Sequence, residues 1–120
     1  MNRELVENWI TYYLNRRKGF DNPSSAWEKV DEVIRRDRDK GWELVLELID
    51  AAPDDFILAT IAAGPLEDLL NDSPAVLADR VEIEARRSPK FRRCLTGVWG
   101  VPDSLRTRVE KYLSAVDNPL

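Results

Sequence analysis

The sequence contains no histidine and only one cysteine, Cys94, in 120 residues. Without imidazole it lacks the usual general base, the histidine-activated serine or cysteine nucleophile, and the mixed cysteine and histidine zinc site. A single cysteine cannot form an intramolecular disulfide or a thiolate metal site. We therefore expect Cys94 to be a small core residue, and we expect a non-enzymatic protein that requires no metal.

Glycine is also scarce, and its five copies are scattered at positions 19, 41, 64, 97 and 100. A P-loop or a dinucleotide-binding loop needs glycines at short, fixed spacing, so that backbone N–H groups can approach a phosphate. Neither motif is present in this sequence. The glycine spacing therefore predicts that the protein uses no nucleotide cofactor.

Long apolar runs are missing as well. The uninterrupted apolar runs are only a few residues long, whereas a membrane helix needs about 20. The chain also does not open on the basic, apolar and small-residue pattern of a secretion signal. Together with the single cysteine, these absences predict a protein of the reducing cytoplasm that has no membrane partner.

The residues that are present are typical of a folded globular protein. Apolar residues make up 43% of the chain and charged residues 33%, with four tryptophans, which separates the sequence from disordered chains. A chain of this length fits one domain. We therefore expect a single helical domain that spans residues 1–120.

Helical spacing of apolar residues recurs along the whole chain, and no strand-like alternation accompanies it. The spacing predicts an all-α fold of about six or seven short helices, arranged either as a compact bundle or as stacked helical hairpins in a short solenoid-like form. The segment 56–63 is almost wholly apolar, which predicts a central helix. The apolar faces include these residues: Leu5, Trp9, Tyr13; Trp27, Val30, Val33, Ile34; Trp42, Val45, Ile49; Leu77, Val81, Ala85; Phe91, Cys94, Leu95; Leu105, Val109, Tyr112.

Several short patterns mark the joints between these helices. Ser73 and Ser88 each precede a proline, which is typical of a capped helix start. Ser25, with Glu28 three residues later, has the form of a capping box. In the stretch IAAGPLEDLL, Gly64 is predicted to end one helix in the left-handed conformation, with the following proline beginning the next helix.

All four tryptophans fall on predicted apolar faces, so we expect most of them to be buried. They are Trp9, Trp27, Trp42 and Trp99. Trp99 is the one that we expect to be exposed, because it lies in the sequence GVWG, where its helix ends. An exposed tryptophan would suit a protein interface.

The chain resembles a family of small bacterial and phage-borne proteins of unknown function. The resemblance rests on tryptophan-rich helices, the APDD turn, the stretch IAAGPLEDLL, the segment DRVEIEAR from Asp79 to Arg86, and FRRCLTGVW from Phe91 to Trp99. It covers the region from Trp42 to Trp99. It implies a cytoplasmic helical domain and brings no established activity with it.

Charge is segregated along the second half of the chain. From residue 51 to 85 there are eight acidic residues and one basic residue, and from 86 to 111 there are eight basic and two acidic residues. The two blocks could neutralise each other within the fold, or they could attract a charged partner. The acidic candidate site, here called the acidic face, comprises Glu67, Asp68, Asp72 and Asp79. The basic candidate site, here called the basic cluster, comprises Arg86, Arg87, Lys90 and Arg93, with Arg92 beside them.

These observations favour a non-enzymatic protein-binding module. Its expected role is that of an immunity or inhibitor protein in bacterial conflict, with a basic toxin or defence-system subunit as partner. The alternatives are a phage-encoded inhibitor of a host defence complex, a self-associating helical adaptor, and a carboxylate-dependent enzyme using the pairs at 54 and 55, 67 and 68, or 82 and 84. A net charge of −4 and a pI of about 4.9 argue against a dedicated nucleic-acid binder.

Overall fold

The computed structural model describes residues 2–19 and 25–113, and the elements that it contains there are helices. A π turn, Ala62–Leu66, joins the helices Asp55–Ile61 and Glu67–Asp72 into one continuous helix over residues 55–72. Counted in this way, the described residues form seven helices and no strand, which confirms the predicted all-α bundle. The helices are α1 (Arg3–Arg17), α2 (Ala26–Arg36), α3 (Arg38–Ala51), α4 (Asp55–Ile61), α5 (Glu67–Asp72), α6 (Pro74–Arg87), α7 (Pro89–Leu95) and α8 (Asp103–Leu113).

Three helices begin at a residue whose side chain accepts hydrogen bonds from the first turn. Asp37 accepts from two backbone N–H groups of α3, both at 3.1 Å. Asp54 accepts from the N–H of Ile57 at 3.0 Å in α4. Ser88 accepts from the N–H of Phe91 at 3.0 Å, which confirms the predicted start of α7. These caps satisfy backbone donors that have no partner within the helix.

Two other predicted caps mark the right positions without making the expected hydrogen bond. Ser25 and Ser73 each precede a helix, but neither side chain accepts a bond from it. The hydroxyl of Ser73 instead donates to Asp72 at 2.9 Å. The prediction of a capping-box hydrogen bond at Ser25 is therefore wrong, although α2 begins directly after this residue.

The prediction that a helix ends at Gly64 is wrong. Gly64 does not have the positive φ of the left-handed conformation. Among the described glycines, Gly19 and Gly100 have one. In an α-helix the carbonyl of Ile61 would accept from residue 65, but Pro65 has no N–H. In the π turn this carbonyl accepts instead from the residue after the proline, one position further along the chain. The wider turn also leaves room for the proline ring. Leu66, the last residue of the π turn, is fully buried. Its packing in the core holds the chain in a helical path through the turn.

The buried apolar residues form one hydrophobic core. The α3 residues Leu44, Val45 and Leu48 are fully buried there, and α3 contacts α1, α2, α4, α5 and α7. In a solenoid each unit would contact only its neighbours along the chain, so the arrangement is a bundle. No helix in the described part of the chain is long and apolar enough to span a membrane.

The predicted central segment, 56–63, is only partly central. Ile57, Leu58 and Ile61 are buried, whereas 38% of Phe56 is exposed. The guanidinium of Arg17 lies 4.8 Å from the centre of the Phe56 ring. This helix therefore has an outer face that the all-apolar sequence did not indicate.

The tryptophans divide into two buried and two exposed residues. Trp9 and Trp42 are buried, and Trp99 is 80% exposed, as predicted from its glycine-flanked position. The expected burial of Trp27 is wrong, since 46% of it is exposed. The buried residues of α2 recur every fourth position from Ala26, and this stripe leaves Trp27 at its edge.

Candidate protein-binding groove

A groove that combines aromatic and acidic side chains lies between α1, α2 and the helix of residues 55–72. It encloses about 270 Å³ and is open to solvent. We call it the aromatic–acidic groove. The lining residues are Trp9, Tyr13, Trp27, Val30, Asp31, Ile34, Gly64, Pro65 and Asp68.

The aromatic and acidic side chains of the groove come from α1, α2 and α5. On α2, Trp27 and Asp31 are four residues apart and lie on the same side of the helix. Asp68 reaches the groove from α5, and Pro65 comes from the π turn. The π turn and α5 both contact α2. The continuous helix that replaced the predicted joint therefore forms one wall of the groove.

The aromatic end of the groove is partly buried. The ring centres of Trp9 and Tyr13 are 4.6 Å apart, and Trp9 is only 2% exposed. Burial raises the pKa of the Tyr13 phenol, the neighbouring Tyr12 raises it further, and Arg16 opposes the change. Trp27 is the large aromatic side chain that remains open to solvent at this end.

The acidic side of the groove carries carboxylates that repel one another. The pKa of Asp68 is raised, first by partial burial and then by the charges of Asp31 and Glu67. Asp31 pairs with Arg35 of its own helix at 3.0 Å. In contrast, no cation of the described residues forms an ion pair with Asp68. Asp68 is thus a carboxylate whose charge the fold leaves without a partner.

The structure does not bring the four residues of the acidic face together on one surface. Asp68 lines the groove, and Asp72 lines its shallow continuation beside Asp31. Glu67 instead accepts a hydrogen bond from the backbone N–H of Trp99 at 3.2 Å. Asp79 pairs with Arg108 of α8. Two of the four predicted residues therefore belong to the groove.

Two members of the basic cluster hold the bundle together. The Lys90 ammonium donates to the carbonyl oxygens of Asp50 and Ala52, both at 2.9 Å, at the end of α3. The Arg93 guanidinium donates two hydrogen bonds of 2.9 Å to the carboxylate of Asp55 at the start of α4. Both cations thus connect α7 to neighbouring helices.

The other cations of this region are less uniform. Arg92 donates to the carbonyl of Ala85 at 2.7 Å, and Arg87 lies 3.6 Å from Glu84. Arg86 is exposed and forms no ion pair with a described residue. The basic cluster therefore offers one unpaired guanidinium and one weakly paired guanidinium to solvent.

A separate charge network joins α6 to α8. Arg108 donates to Asp79 at 2.6 Å and to Glu82 at 2.7 Å, and the Tyr112 hydroxyl lies 3.4 Å from Glu82. The hydrogen bond from Arg108 is the main reason that the pKa of Glu82 is lowered, and the hydrogen bond to Asp79 is the main reason that the pKa of Arg108 is raised. These carboxylates serve the contact between two helices.

The carboxylate pair at 54 and 55 and the single cysteine, which were considered as candidate reactive groups, have other contacts in the structure. Asp54 caps α4 and pairs with Arg17 at 3.3 Å, and Asp55 pairs with a cation of α7. Cys94 is buried, as predicted, and burial raises the pKa of its thiol to about 12. Among residues 2–19 and 25–113, no group of three or more acidic or cysteine side chains is placed to hold a metal ion.

Sequence reasoning missed three contributors to the groove. Tyr13, Trp27 and Asp31 lie in the first third of the chain. The acidic and basic blocks from which the candidate sites were predicted lie at residues 51–111. One signal was present: an aromatic residue and a carboxylate four positions apart, Trp27 and Asp31, on one face of a predicted helix. That Asp68 lies opposite them could not be read from this spacing, because it depends on how α2 packs against α5.

The fold defines an all-α bundle with an open aromatic–acidic groove. The chain belongs to the family of unknown function DUF6869, whose model matches residues 15–116. The match includes Trp27, Asp31 and Asp68, whereas Tyr13 precedes it. Neither a search of curated proteins nor a search of solved structures found a match.

Proposed function

We propose that the protein is a non-enzymatic protein-binding module whose aromatic–acidic groove binds a basic segment of a partner protein. The observation that carries the proposal is the presence of an exposed tryptophan, Trp27, and an unpaired carboxylate, Asp68, in one groove. Most other charged residues singled out in the sequence have partners within the fold. The groove is where aromatic surface and unpaired charge coincide.

The chemistry of the groove fits a basic partner. Tryptophan and tyrosine supply much of the binding energy in many protein interfaces, and a patch of one charge accelerates association with the opposite charge. A bound cation would also relieve the repulsion between Asp31 and Asp68. Because this gain is made only in the complex, it favours binding without stabilising the free protein.

An immunity or inhibitor role is the form of this function that we favour. In that role the cytoplasmic module would cover a basic cleft of a toxin or of a defence-system subunit, in a bacterial or phage setting. Self-association is the second candidate. It is favoured by Trp99, which is 80% exposed on a turn whose backbone is held by Glu67 and followed by the buried Val101.

The proposal can be tested with a charge-reversed groove. The variant combines Asp68→Lys and Asp72→Lys, and its control combines Glu43→Lys and Glu110→Lys, two exposed carboxylates that do not line the groove. Partners captured from a lysate of the native host are identified by mass spectrometry, and the association of the purified partner is measured at two salt concentrations. We expect a basic partner, an on-rate that falls with salt, and a loss of affinity of about tenfold or more in the groove variant alone.

Three results would count against the proposal. The first is a groove variant that binds its partner as well as the wild type does. The second is an equal loss in the control variant, which would indicate a general effect of net charge. The third is normal binding by the groove variant together with loss of binding by Arg86→Glu with Arg87→Glu, which would assign the site to the basic cluster. Thermal melts of all variants establish that they are folded.

A further inference from the structure

We infer that the aromatic–acidic groove is a receptor for one arginine side chain of the partner, with the guanidinium stacked on Trp27 and paired with Asp68. The inference rests on the proposed function, because it names the side chain that the same groove binds. It also makes a stronger claim, since a general attraction between charges requires no particular residue.

The molecule already holds a guanidinium in this way at another place. The Arg17 guanidinium lies 4.8 Å from the centre of the Phe56 ring and 3.3 Å from the carboxylate of Asp54. An aromatic ring and a carboxylate together therefore position an arginine on this protein's own surface. The groove repeats the pair with Trp27 and Asp68, but no cation of the described residues lies over the Trp27 ring.

One basic residue of the protein lies beside the groove and is already paired there. Arg35 lines the shallow continuation of the groove, and its Nε atom lies 3.0 Å from the carboxylate of Asp31. This pair forms along one helix, between positions four residues apart. It counters the charge of Asp31 and leaves Asp68 as the carboxylate that an incoming cation would meet.

The size and lining of the groove suit an arginine. Its volume of about 270 Å³ leaves room for one long side chain. Val30, Ile34 and Pro65 supply an apolar floor for the methylene stem. The carboxylate at the rim would then meet the charged end of that side chain.

Arginine fits these contacts better than lysine does. A guanidinium is flat, is only weakly hydrated, and can stack on an aromatic ring while its N–H groups bind a carboxylate. An ammonium group is compact and strongly hydrated, and it gains less from the face of Trp27. Partial burial and neighbouring negative charge raise the pKa of Asp68 in the free protein, and a bound guanidinium would offset that repulsion.

The test uses three blocked tripeptides with glycine on both sides of arginine, lysine or citrulline. Citrulline has the shape of arginine without its charge. Binding to the full chain is followed by the NMR signal of the Trp27 indole N–H and by fluorescence in a Trp99→Phe background, which removes the other exposed tryptophan. We expect the arginine peptide to bind about fivefold or more tightly than the citrulline peptide, with lysine between them.

Substitutions in the groove then locate the binding. Trp27→Ala and Asp68→Asn should each weaken binding of the arginine peptide about tenfold, whereas Asp72→Asn, in the shallow continuation, should change it less than about twofold. Binding to Trp27→Ala, which lacks the reporting indole, is followed by the backbone amide NMR signals of Asp31 and Asp68. Equal binding of arginine and citrulline would overturn the inference. So would an unchanged Trp27 signal at about 10 mM peptide, a concentration that detects even millimolar affinity.

The outcomes separate this inference from the proposed function. If the charge-reversed groove loses the partner while the arginine peptide leaves Trp27 unaffected, the groove binds a basic partner without an arginine receptor. If the peptide binds at Trp27 and Asp68 while the charge-reversed groove keeps its partner, the receptor exists and the proposed function is wrong. Thermal melts of the Trp27 and Asp68 variants show whether a loss of binding reflects unfolding.

Discussion

Asp68 and Asp79 belong to the same acidic stretch of sequence, yet they stand in opposite surroundings. At the contact between α6 and α8, Asp79 and Glu82 both accept hydrogen bonds from Arg108, and the pKa of Glu82 is lowered. In the groove, Asp68 forms no ion pair with a described residue, and its pKa is raised by partial burial and by the charges of Asp31 and Glu67. The first region uses carboxylates to join helices, and the second holds a carboxylate at an electrostatic cost.

Arginines of the basic stretch form ion pairs with the acidic stretch. Arg93 pairs with Asp55, and Arg108 pairs with Asp79, so acidic and basic segments neutralise each other at several helix contacts. This is the arrangement in which segregated charge serves the fold. Charge in one block of sequence therefore does not indicate a binding surface until its internal partners are known.

The largest effect on stability is expected when the cations that join helices are removed. Replacing Lys90 and Arg93 together by alanine removes the charged hydrogen bonds that join α7 to α3 and α4. The free energy of unfolding should fall by about 2 kcal/mol, since each partly exposed group contributes about 1 kcal/mol. Chemical denaturation measures this change. Arg86→Ala is the matched control and should stay within about 0.5 kcal/mol of the wild type; an equal loss there would show that the contacts of Lys90 and Arg93 are not the cause.

An intermediate effect is expected at the floor of the groove. Gly64 has a helical conformation, and a Cβ atom placed there would meet no heavy atom within 4 Å apart from its two chain neighbours and the backbone of its own helix. Gly64→Ala should therefore raise the free energy of unfolding by about 0.5 kcal/mol or slightly more.

The matched control for this substitution is Gly100→Ala. Gly100 has a φ of +69°, so a side chain there strains the backbone and should lower stability by about 1 kcal/mol. Thermal melts of both variants are compared. If Gly64→Ala were as destabilising as Gly100→Ala, the continuous helix through the π turn would be wrong.

The smallest effects concern pH and have opposite signs in the two regions. A lowered pKa means that ionised Glu82 stabilises the fold above the pKa of an unfolded glutamate, and that this contribution is lost as the pH falls through the folded-state pKa. A raised pKa means that Asp68 favours folding while it is protonated, and that this contribution is lost as the pH rises through its folded-state pKa.

Melts of two neutral variants at neutral pH and at about pH 3 test these signs. Glu82→Gln should lower the melting temperature at neutral pH, and the difference should shrink in acid. Asp68→Asn should leave stability unchanged or raise it by less than about 0.5 kcal/mol at neutral pH. A clear loss of stability in Asp68→Asn would mean that Asp68 has a structural partner, and the contrast between the two regions would disappear.

The sequence predicted the helices well because their signals are local. Apolar spacing identified the buried faces, and the hydroxyl before Pro89 identified the start of α7 through Ser88. The glycines that flank Val98 and Trp99 in GVWG, where a helix was predicted to end, indicated the exposure of Trp99. Each of these features depends on residues within one or two helical turns.

The errors have a common physical origin in tertiary packing. The glycine and proline at 64 and 65 have the form of a joint, but burial of Leu66 on the far side keeps the chain helical. Trp27 fits an apolar face, but the buried stripe of α2 passes beside it. The groove itself could not be predicted, since Asp31 and Asp68 are distant in sequence and meet through helix packing.

The π turn also fixes the angular phase of the helix that follows it. Each residue of an α-helix turns the chain by about 100°, and the π turn adds one residue to its own turn. Without it, the faces of α5 would be rotated by about that angle, and Asp68 would leave the groove while Leu69 and Leu70 changed their place in the core. A family member one residue shorter here would therefore present a different face of α5 to α2, and its groove would display different side chains.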